Sequence, residues 1–340
     1  MRVLAVPFAR LMRRSFAALA IVAAFVLVSV QSEAQAQAYP DRTITLVVPF
    51  PAGGGADATG RIIADAMAKH LGQSIIVENV SGASGSIGHG RVKNAAPDGY
   101  TIGLGTMGTL AASVAINPKL KFDSLQDFEH LGLVNTTPNI VFVRKDLPVN
   151  TLREFVDYAK LKGRDLKIGH SGTGTISHIT CVLLFQLIGA QPTYVTYRGY
   201  GQTINDILSG SIDGSCDLVT SVSGQVSAGA VKAFAIAADE RSPAVPGVPT
   251  AKEVDLPDFK AETWMGLFAP KSTPAPVLAR LKDALDKSLN EATVQRRFAD
   301  IGAAIPKPDR RGGEYMRKLI GSEVDRWGGI LKKAGVELSQ

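Results

Sequence analysis

Short apolar segments typical of strands alternate with longer segments of helical periodicity along nearly all of the chain beyond residue 38. This alternation is typical of α/β domains, and it predicts mainly parallel sheets that are covered by helices. The predicted strands are 44–48, 75–78, 101–105, 140–144, 166–169, 193–196, 214–218, 231–237 and 264–269. The predicted helices include 62–71, 152–161, 176–188 and 204–208.

The C-terminal part of the chain has a different pattern. Residues 275–290 and 311–333 form two amphipathic patterns with basic outer faces, and Pro274 and Pro276 lie where the first helical turn tolerates proline. We expect these helices to pack back on an N-terminal lobe. Crossings between lobes are predicted near 137–139 and in the proline-rich segment 242–249. The predicted lobes are therefore 39–138 with 245–340, and an inserted lobe 139–244.

The first 38 residues have the features of a secretory signal peptide. A basic start is followed by the apolar stretch 16–30, which is too short for a comfortable membrane span, and by small residues at 34, 36 and 38. Cleavage is expected after Ala36 or Ala38, by the general secretion route, with the mature protein in the periplasm. Translation from Met12 would leave a complete signal peptide as well.

Charge and cysteine content narrow the classes of partner. The chain has a net charge of +6, and the predicted signal peptide accounts for four arginines and one glutamate, so the mature part carries +3. A mild positive charge without a basic stripe argues against nucleic acid and suits small anions. Cys181 and Cys216 match no metal or redox spacing, which leaves either a disulfide or two buried apolar side chains.

The segment 49–57, with the sequence PFPAGGGAD, follows the first predicted strand and precedes the first predicted helix. Glycines let a guest approach the backbone closely, and a helix N-terminus attracts anions. The segment therefore predicts a ligand loop, with Asp57 as an acceptor or as a residue that orients the loop. The alternative is a tight turn in which Asp57 is only a first-turn helix acid. The segment is not a phosphate-binding P-loop, because no Gly-Lys-Ser/Thr follows.

Two further loops of the N-terminal part follow strands. Segment 81–88 offers backbone donors and the hydroxyls of Ser84 and Ser86, although Ser86 could act only as a helix N-cap. Segment 103–108 matches G-x-G-x-x-G, but it ends the third predicted strand instead of the first and lacks the acidic residue at the end of the next strand. A ligand contact by Thr106 is favoured over dinucleotide binding.

In the inserted lobe, segment 170–178 places serines, threonines and glycines before a helix, which suits a carboxylate ligand. His178 is expected to form a pocket wall, a cap or a packed residue. The alternative hypothesis is a secreted hydrolase that uses Ser177 or Ser171 with His178. The chain, however, lacks the G-x-S-x-G motif that presents the nucleophilic serine in α/β-hydrolases. The histidines lack partners at metal-binding spacing.

Tyr197, Arg198 and Asp217 also follow predicted strands. Arg198 is suited to a carboxylate, although a surface arginine at a turn is equally compatible with the pattern. Ligands of open α/β sheets bind at the carboxyl ends of strands, where all these loops lie. Loops of this kind on two facing lobes predict a closing cleft.

Several segments together resemble the Bug-type solute receptors of tripartite tricarboxylate transporters. They are PFPAGGGAD at 49–57, AAPDGYT at 95–101, LFAP at 267–270 and TP at 273–274, and the resemblance extends from Tyr39 to near Gln340. It implies a periplasmic binding protein (Venus flytrap) with two doubly wound α/β lobes and C-terminal helices packed on the first lobe.

The resemblance also implies a carboxylate-binding cleft, often with ordered waters between the ligand and the loop backbone. The implied binding residues, together with those from the loop analysis, are Phe50, Ala52, Gly53, Gly54, Asp57, Ser84, Ser86, Thr106, Ser171, Thr173, Thr175, His178, Tyr197, Arg198 and Asp217. The chain departs from the family pattern at Arg198, where lysine is common, at 81–85, and beside Asp217, where an aromatic residue often lies. These departures leave the identity of the ligand open.

The expected function is capture of a small organic carboxylate for a membrane transporter, without catalysis, cofactor or metal, and by a monomer. The expected partners are the membrane subunits of the transporter. A receptor that serves only a sensor is an alternative that the sequence does not separate from transport. Aspartate, glutamate, citrate, nicotinate and aromatic dicarboxylates all remain candidate ligands, although the small number of tryptophans argues weakly against a large aromatic guest.

Overall fold

The structure is a computed structural model that describes residues 39–117 and 119–333. The predicted signal peptide lies outside these residues. Among the residues described, no helix combines the length and the apolar character needed to cross a membrane.

Nine strands of the described chain pair in the order β2-β1-β3-β9-β4-β7-β5-β6, and β8 also pairs with β4. Their bounds are β1 (Ile44–Val48), β2 (Ile75–Asn79), β3 (Thr101–Thr106), β4 (Phe128–Arg144), β5 (Lys167–His170), β6 (Thr193–Thr196), β7 (Gly214–Leu218), β8 (Val231–Ile236) and β9 (Glu262–Pro270). The prediction of mainly parallel sheets is wrong. Every pairing made by β4 or β9 is antiparallel, and only the pairings of β1 with β2 and β3 and of β5 with β6 and β7 are parallel.

Strand β4 links two halves of this array. As far as Pro138 it pairs with β9, and from Asn139 onward it pairs with β7 and β8. The first half is thus β2, β1, β3, β9 and the start of β4, and the second half is the end of β4 with β5 to β8. The predicted strand 140–144 covered only the end of β4. The earlier part contains polar residues that are buried inside the protein, where the Asn135 amide donates to Thr59 Oγ1 at 2.9 Å.

The helices cover the strands and connect them. They are α1 (Gly55–Leu71), α2 (Ser86–Lys93), α3 (Ser113–Ile116), α4 (Leu152–Lys162), α5 (Ile176–Ile188), α6 (Tyr200–Leu208), α7 (Val219–Ser227), α8 (Ala275–Leu289), α9 (Ala292–Asp300) and α10 (Gly313–Lys333). A π-helical turn, Gly108–Ala112, precedes α3. Helix α1 begins directly after Gly54, well before the predicted start at residue 62. This early start brings the helix N-terminus to the glycine loop.

Each half of the array has its own apolar core. The C-terminal helices pack on the first half: α8 and α9 contact α1, and α10 contacts β4 and the π-helical turn, as expected from the sequence. In the second half, Phe155, Phe185 and Phe234 lie in one buried cluster with both cysteines, which are free thiols. The segment after β8 stays with the second half, because Val245, Val248, Ala251, Phe259 and Ala261 belong to its clusters.

Candidate functional site

The Asp57 side chain holds the glycine loop between β1 and α1 in place through hydrogen bonds. Its carboxylate accepts hydrogen bonds from the Gly53 N–H at 3.0 Å and the Asn79 amide at 3.0 Å, and it pairs with Arg61 at 2.9 Å. The Asn79 amide also donates to the Phe50 carbonyl at 2.9 Å. Burial alone would raise the pKa of Asp57, but the hydrogen bonds from Arg61, Gly53 and Asn79 hold that pKa below its ordinary value. Asp57 is therefore an ionised anchor that shapes the loop.

The loop between β5 and α5 is also held by its own helix. The Ser171 N–H donates to Ser177 Oγ at 2.8 Å, and the Gly174 N–H donates to His178 Nδ1 at 3.1 Å. The His178 ring packs on the His170 ring with 4.3 Å between centroids. Burial lowers the pKa of His178 to about 4, so its imidazole is neutral and able to accept from the loop. His178 thus lies behind the loop as a support.

Asp217 lies near the end of β7 and is 4 % exposed. Its Oδ2 accepts from the Ser171 hydroxyl at 2.9 Å, its Oδ1 accepts from the Leu218 N–H at 2.7 Å, and the Ser221 side chain also bonds it. Burial raises the pKa of Asp217 to about 6, although these hydrogen bonds favour the charged form. The carboxyl is therefore poised to change its charge near neutral pH.

These loops surround a small cavity of about 50 Å³ that we call the inner cavity. Its lining comes from the starts of α1, α5, α6 and α7 together with β3 and β7. The lining residues are Phe50, Pro51, Ala52, Gly54, Gly55, Ala56, Thr106, Ser171, Thr175, Ile176, Ser177, Tyr200, Asp217, Leu218 and Ser221. Among the described residues, none of the four helices has a side-chain hydrogen bond at its N-cap, as is also true of α2, α3, α8 and α9, whereas in α4 Thr151 Oγ1 accepts from the Glu154 N–H. Apart from the Gly55 N–H, which donates to Ser221 Oγ, first-turn N–H groups of these helices are thereby left for a guest.

A second cavity of about 300 Å³, the outer cavity, adjoins the inner one. Phe50 and Ser171 line both. The outer cavity has a more polar lining than the inner cavity. Arg198, which is exposed, lies on its wall. The predicted residues that line it are Phe50, Ser84, Ser86, Ser171, Thr173, Tyr197 and Arg198.

The two halves touch each other around these cavities. The Gly55 N–H donates to Ser221 Oγ at 3.1 Å, and the Ser84 hydroxyl donates to the Thr173 carbonyl at 2.6 Å. A methyl group on Gly55 would lie 2.1 Å from Thr220 Oγ1, which shows how closely α1 approaches α7. The structure therefore has the cleft shut around the inner cavity.

Most of the predicted site residues come together on the two cavity walls. Those on the inner cavity are Phe50, Ala52, Gly54, Thr106, Ser171, Thr175 and Asp217. Gly53 is exposed beside the cavity with φ at +90°, which suits glycine. Gly53, Asp57 and His178 are not lining residues of either cavity, and the latter two support the loops instead.

Comparison with known proteins gives a consistent result. A model of the tripartite tricarboxylate transporter receptor family matches residues 59–336. The chain belongs to this family. Among solved structures, MatC from Rhodopseudomonas palustris with bound malate is 40% identical, with a TM-score of 0.82 over 86% of this chain and 100% of that chain. The periplasmic binding protein BugD is 33% identical, with a TM-score of 0.84 over 88% of this chain and 99% of that chain.

A third structure, an R. palustris protein with adipate, is 29% identical, with a TM-score of 0.84 over 88% of this chain and 99% of that chain. The recognition of a Bug-type receptor from the sequence is confirmed by the family match and by the likeness to BugD. The chain has the two-lobe α/β fold of periplasmic binding proteins, as predicted.

The geometry around Ser177 differs from that of a hydrolase. Ser177 Oγ accepts from the Ser171 N–H and lies 3.2 Å from Thr175 Oγ1, whereas His178 Nδ1 accepts from Gly174. In the described part of the chain these two side chains make no hydrogen bond to each other, and no three His, Cys, Asp or Glu side chains are grouped to hold a metal ion. The family likeness is to binding receptors.

The G-x-G-x-x-G pattern has a packing explanation in this family member. A methyl group on Gly103 would lie 2.4 Å from the Phe268 ring, and one on Gly105 would lie 2.3 Å from Leu110. These glycines therefore let β3 pack closely against β9 and the turn that follows. Thr106, at the end of the strand, lines the inner cavity.

Sequence reasoning missed some lining residues. Tyr200 and Ser221 line the inner cavity, as does Ser177. Tyr200 is the first residue of α6, and Ser221 lies in the first turn of α7, which was not predicted. Both follow strands at positions equivalent to those of the predicted loops, so the same strand-to-helix rule could have found them.

Proposed function

We propose that this protein captures a small organic carboxylate in its inner cavity, between two lobes, and delivers it to a tripartite tricarboxylate transporter. MatC, of the same fold and 40% identical, holds malate, and the more distant R. palustris structure holds adipate. A small dicarboxylate is therefore the ligand class to which the comparisons point.

The observation that carries this proposal is the convergence of four helix N-termini on one cavity. The starts of α1, α5, α6 and α7 all line it, and each lacks a side-chain cap. A helix N-terminus favours an anion by about 0.3–1 kcal/mol at exposed sites and by up to about 2 kcal/mol where it is partly buried. Several such termini in a small space give an anion field without a cationic side chain.

We place the lobe boundaries at the two points where the chain passes between the halves. β4 passes at Pro138, where pairing with Glu262 of β9 ends. The return follows Ala261, since the preceding segment packs in the second half. The lobes would then be 39–138 with the chain from 262 onward, and 139–261. Closure of these lobes is driven by contacts that the ligand makes only in the shut state.

The mature protein would act in the periplasm as a monomer without catalytic activity. The N-terminal 38 residues have the signal-peptide pattern, and BugD is described as a periplasmic binding protein. The proposed partners are the membrane subunits of the transporter. Loss of carboxylate uptake in a deletion strain would support transport, whereas unchanged uptake would favour a role with a sensor.

The proposal is tested by binding measurements on the mature protein. Succinate, malate, adipate, citrate, aspartate and nicotinate would be screened by thermal shift, and each hit would be measured by isothermal titration calorimetry. Sugars and amines are the matched negative ligands. Binding of at least one carboxylate with a 1:1 stoichiometry is expected. A response only to sugars or amines would refute the proposed function.

A further inference from the structure

The inner cavity contains an unexpected charge for an anion site. Among the described side chains that line it, Asp217 is the one that carries a carboxyl group, and none of the others is Lys, Arg or His. An ionised Asp217 would face the incoming carboxylate across a small space with a largely apolar lining. Two like charges in such a space repel more strongly than they do in bulk water.

In residues 39–117 and 119–333, no cationic side chain packs against Asp217 to offset this charge. The contacts to its oxygens come from the Ser171 and Ser221 side chains and the Leu218 N–H. The titratable groups whose charge equilibria Asp217 affects are Tyr200 on α6 and Cys216 on β7. The surrounding elements also carry Cys181 and His178 on α5, His170 on β5, Asp57 with Arg61 on α1, and Arg144 on β4, which pairs with Asp146 and Asp213.

These surrounding groups leave Asp217 without a counter-ion. Burial lowers the pKa of His170 and of His178, so both rings are neutral near pH 7. Arg61 is committed to Asp57 at 2.9 Å. Tyr200 donates its hydroxyl to Gln225 Oε1 at 3.1 Å. The helix N-termini offset part of this repulsion, and a proton on Asp217 itself removes it.

We propose that a dicarboxylate dianion binds in the inner cavity together with one proton carried by Asp217, so that the protein captures its ligand most tightly in mildly acidic medium. This inference rests on the proposed function. The proton comes from solvent and returns to solvent on release. Once protonated, Asp217 becomes an O–H donor and can give a hydrogen bond to the ligand carboxylate, while Leu218 continues to donate to it.

The position of Asp217 makes this proton readily available. Burial already raises the pKa of the Asp217 carboxyl to about 6, and an anion in the cavity raises it further. If only the protonated form binds, the dissociation constant grows about tenfold per pH unit above that pKa. Between about pH 6 and about pH 8 the affinity should fall by about 50-fold.

The experiment is calorimetric titration of the mature protein with malate and with adipate between about pH 6.5 and about pH 8.5, where the carboxyl groups of both probes are ionised. Each titration is repeated in two buffers of different ionisation enthalpy, which gives the number of protons taken up. We expect uptake approaching one proton at the alkaline end and an affinity that falls with pH.

Asp217→Asn is the decisive variant, because the amide has the size of the carboxyl, is neutral and still accepts from Leu218. It should bind with an affinity that is nearly constant with pH, and at about pH 8 it should bind more tightly than the wild type. Asp157→Asn is the matched control, because Asp157 is an exposed residue on α4. This variant should keep the pH dependence of ligand binding that the wild type shows.

Three outcomes are distinguishable. A wild-type affinity that is flat with pH, without proton uptake, overturns the inference, and this result needs no variant. Weaker binding by Asp217→Asn at every pH also overturns it, since the carboxylate would then be accepting from a ligand donor. If no carboxylate binds at any pH, the proposed function itself is refuted.

Discussion

Gly55→Ala should block closure of the cleft while leaving both lobes folded. Gly55 is the first residue of α1, on the first half, and faces α7 of the second half. A methyl group there would lie 2.1 Å from Thr220 Oγ1, 3.1 Å from Thr220 Cβ and 3.2 Å from Leu218 Cδ1. Thr220 is 8 % exposed, so its side chain has little free space into which to move. The shut state must therefore open slightly or distort.

The magnitude follows from the cost of overpacking. Extra methyl groups in a packed interior typically cost about 1–3 kcal/mol. Because the clash exists only when the cleft is shut, this cost is subtracted from the ligand's binding free energy. The dissociation constant should rise by about 5-fold to about 150-fold. Folding of the open protein should change little, since alanine is a better helix residue than glycine.

The assay is calorimetric binding of the best carboxylate to the wild type, Gly55→Ala and a control. Gly224→Ala is a suitable control, because Gly224 lies on α7 and a methyl group there meets nothing within 4 Å. Small-angle scattering with saturating ligand should show a less compact Gly55→Ala protein. Unchanged affinity in Gly55→Ala, with wild-type compaction, would refute the argument that this contact limits closure.

Three further changes test other parts of the structure. His89→Leu should make folding less sensitive to acid. Burial lowers the pKa of His89 to about 3, so in the wild type the unfolded chain binds the proton before the folded protein does as the pH falls below about 6.5. The wild type should therefore lose about 3 kcal/mol of unfolding free energy by about pH 4, and the variant should not lose this contribution. Urea unfolding at both pH values measures this, and equal acid losses in variant and wild type would contradict it. Ser84→Ala removes the hydrogen bond to the Thr173 carbonyl and should weaken ligand binding by about fivefold in calorimetry. Unchanged affinity would show that this hydrogen bond does not stabilise the shut state. Asp57→Ala leaves the Gly53 N–H without its acceptor and should lower the unfolding free energy by about 1–3 kcal/mol and the ligand affinity by tenfold or more, whereas wild-type affinity would show that the loop holds its shape unaided.

Local patterns predicted much of the fold. The helix Ile176–Ile188 and the strands Ile44–Val48, Thr193–Thr196 and Gly214–Leu218 have the predicted bounds. In these segments the apolar period and the flanking turn residues agree with the tertiary environment. The start of α1 was placed too late, because the small residues between Gly55 and Arg61 carry little apolar signal.

Long-range pairing was less accessible to sequence reasoning. The early part of β4 contains Gly132, Asn135 and Pro138, which locally favour a loop, and only its pairing with β9 makes it a strand. The role of His178 as a support for the loop, and the burial of Asp217, likewise depend on which helices pack behind each loop. Strand-end position located the loops of the site, but it did not tell which side chains point into the cavity.

The most direct test of the central claim is a crystal structure of the mature protein with its tightest-binding carboxylate. The account predicts the ligand in the inner cavity, with carboxylate oxygens within about 3 Å of first-turn backbone N–H groups of both α1 and α5. A ligand held on one lobe alone, or by basic side chains outside the inner cavity, would contradict it.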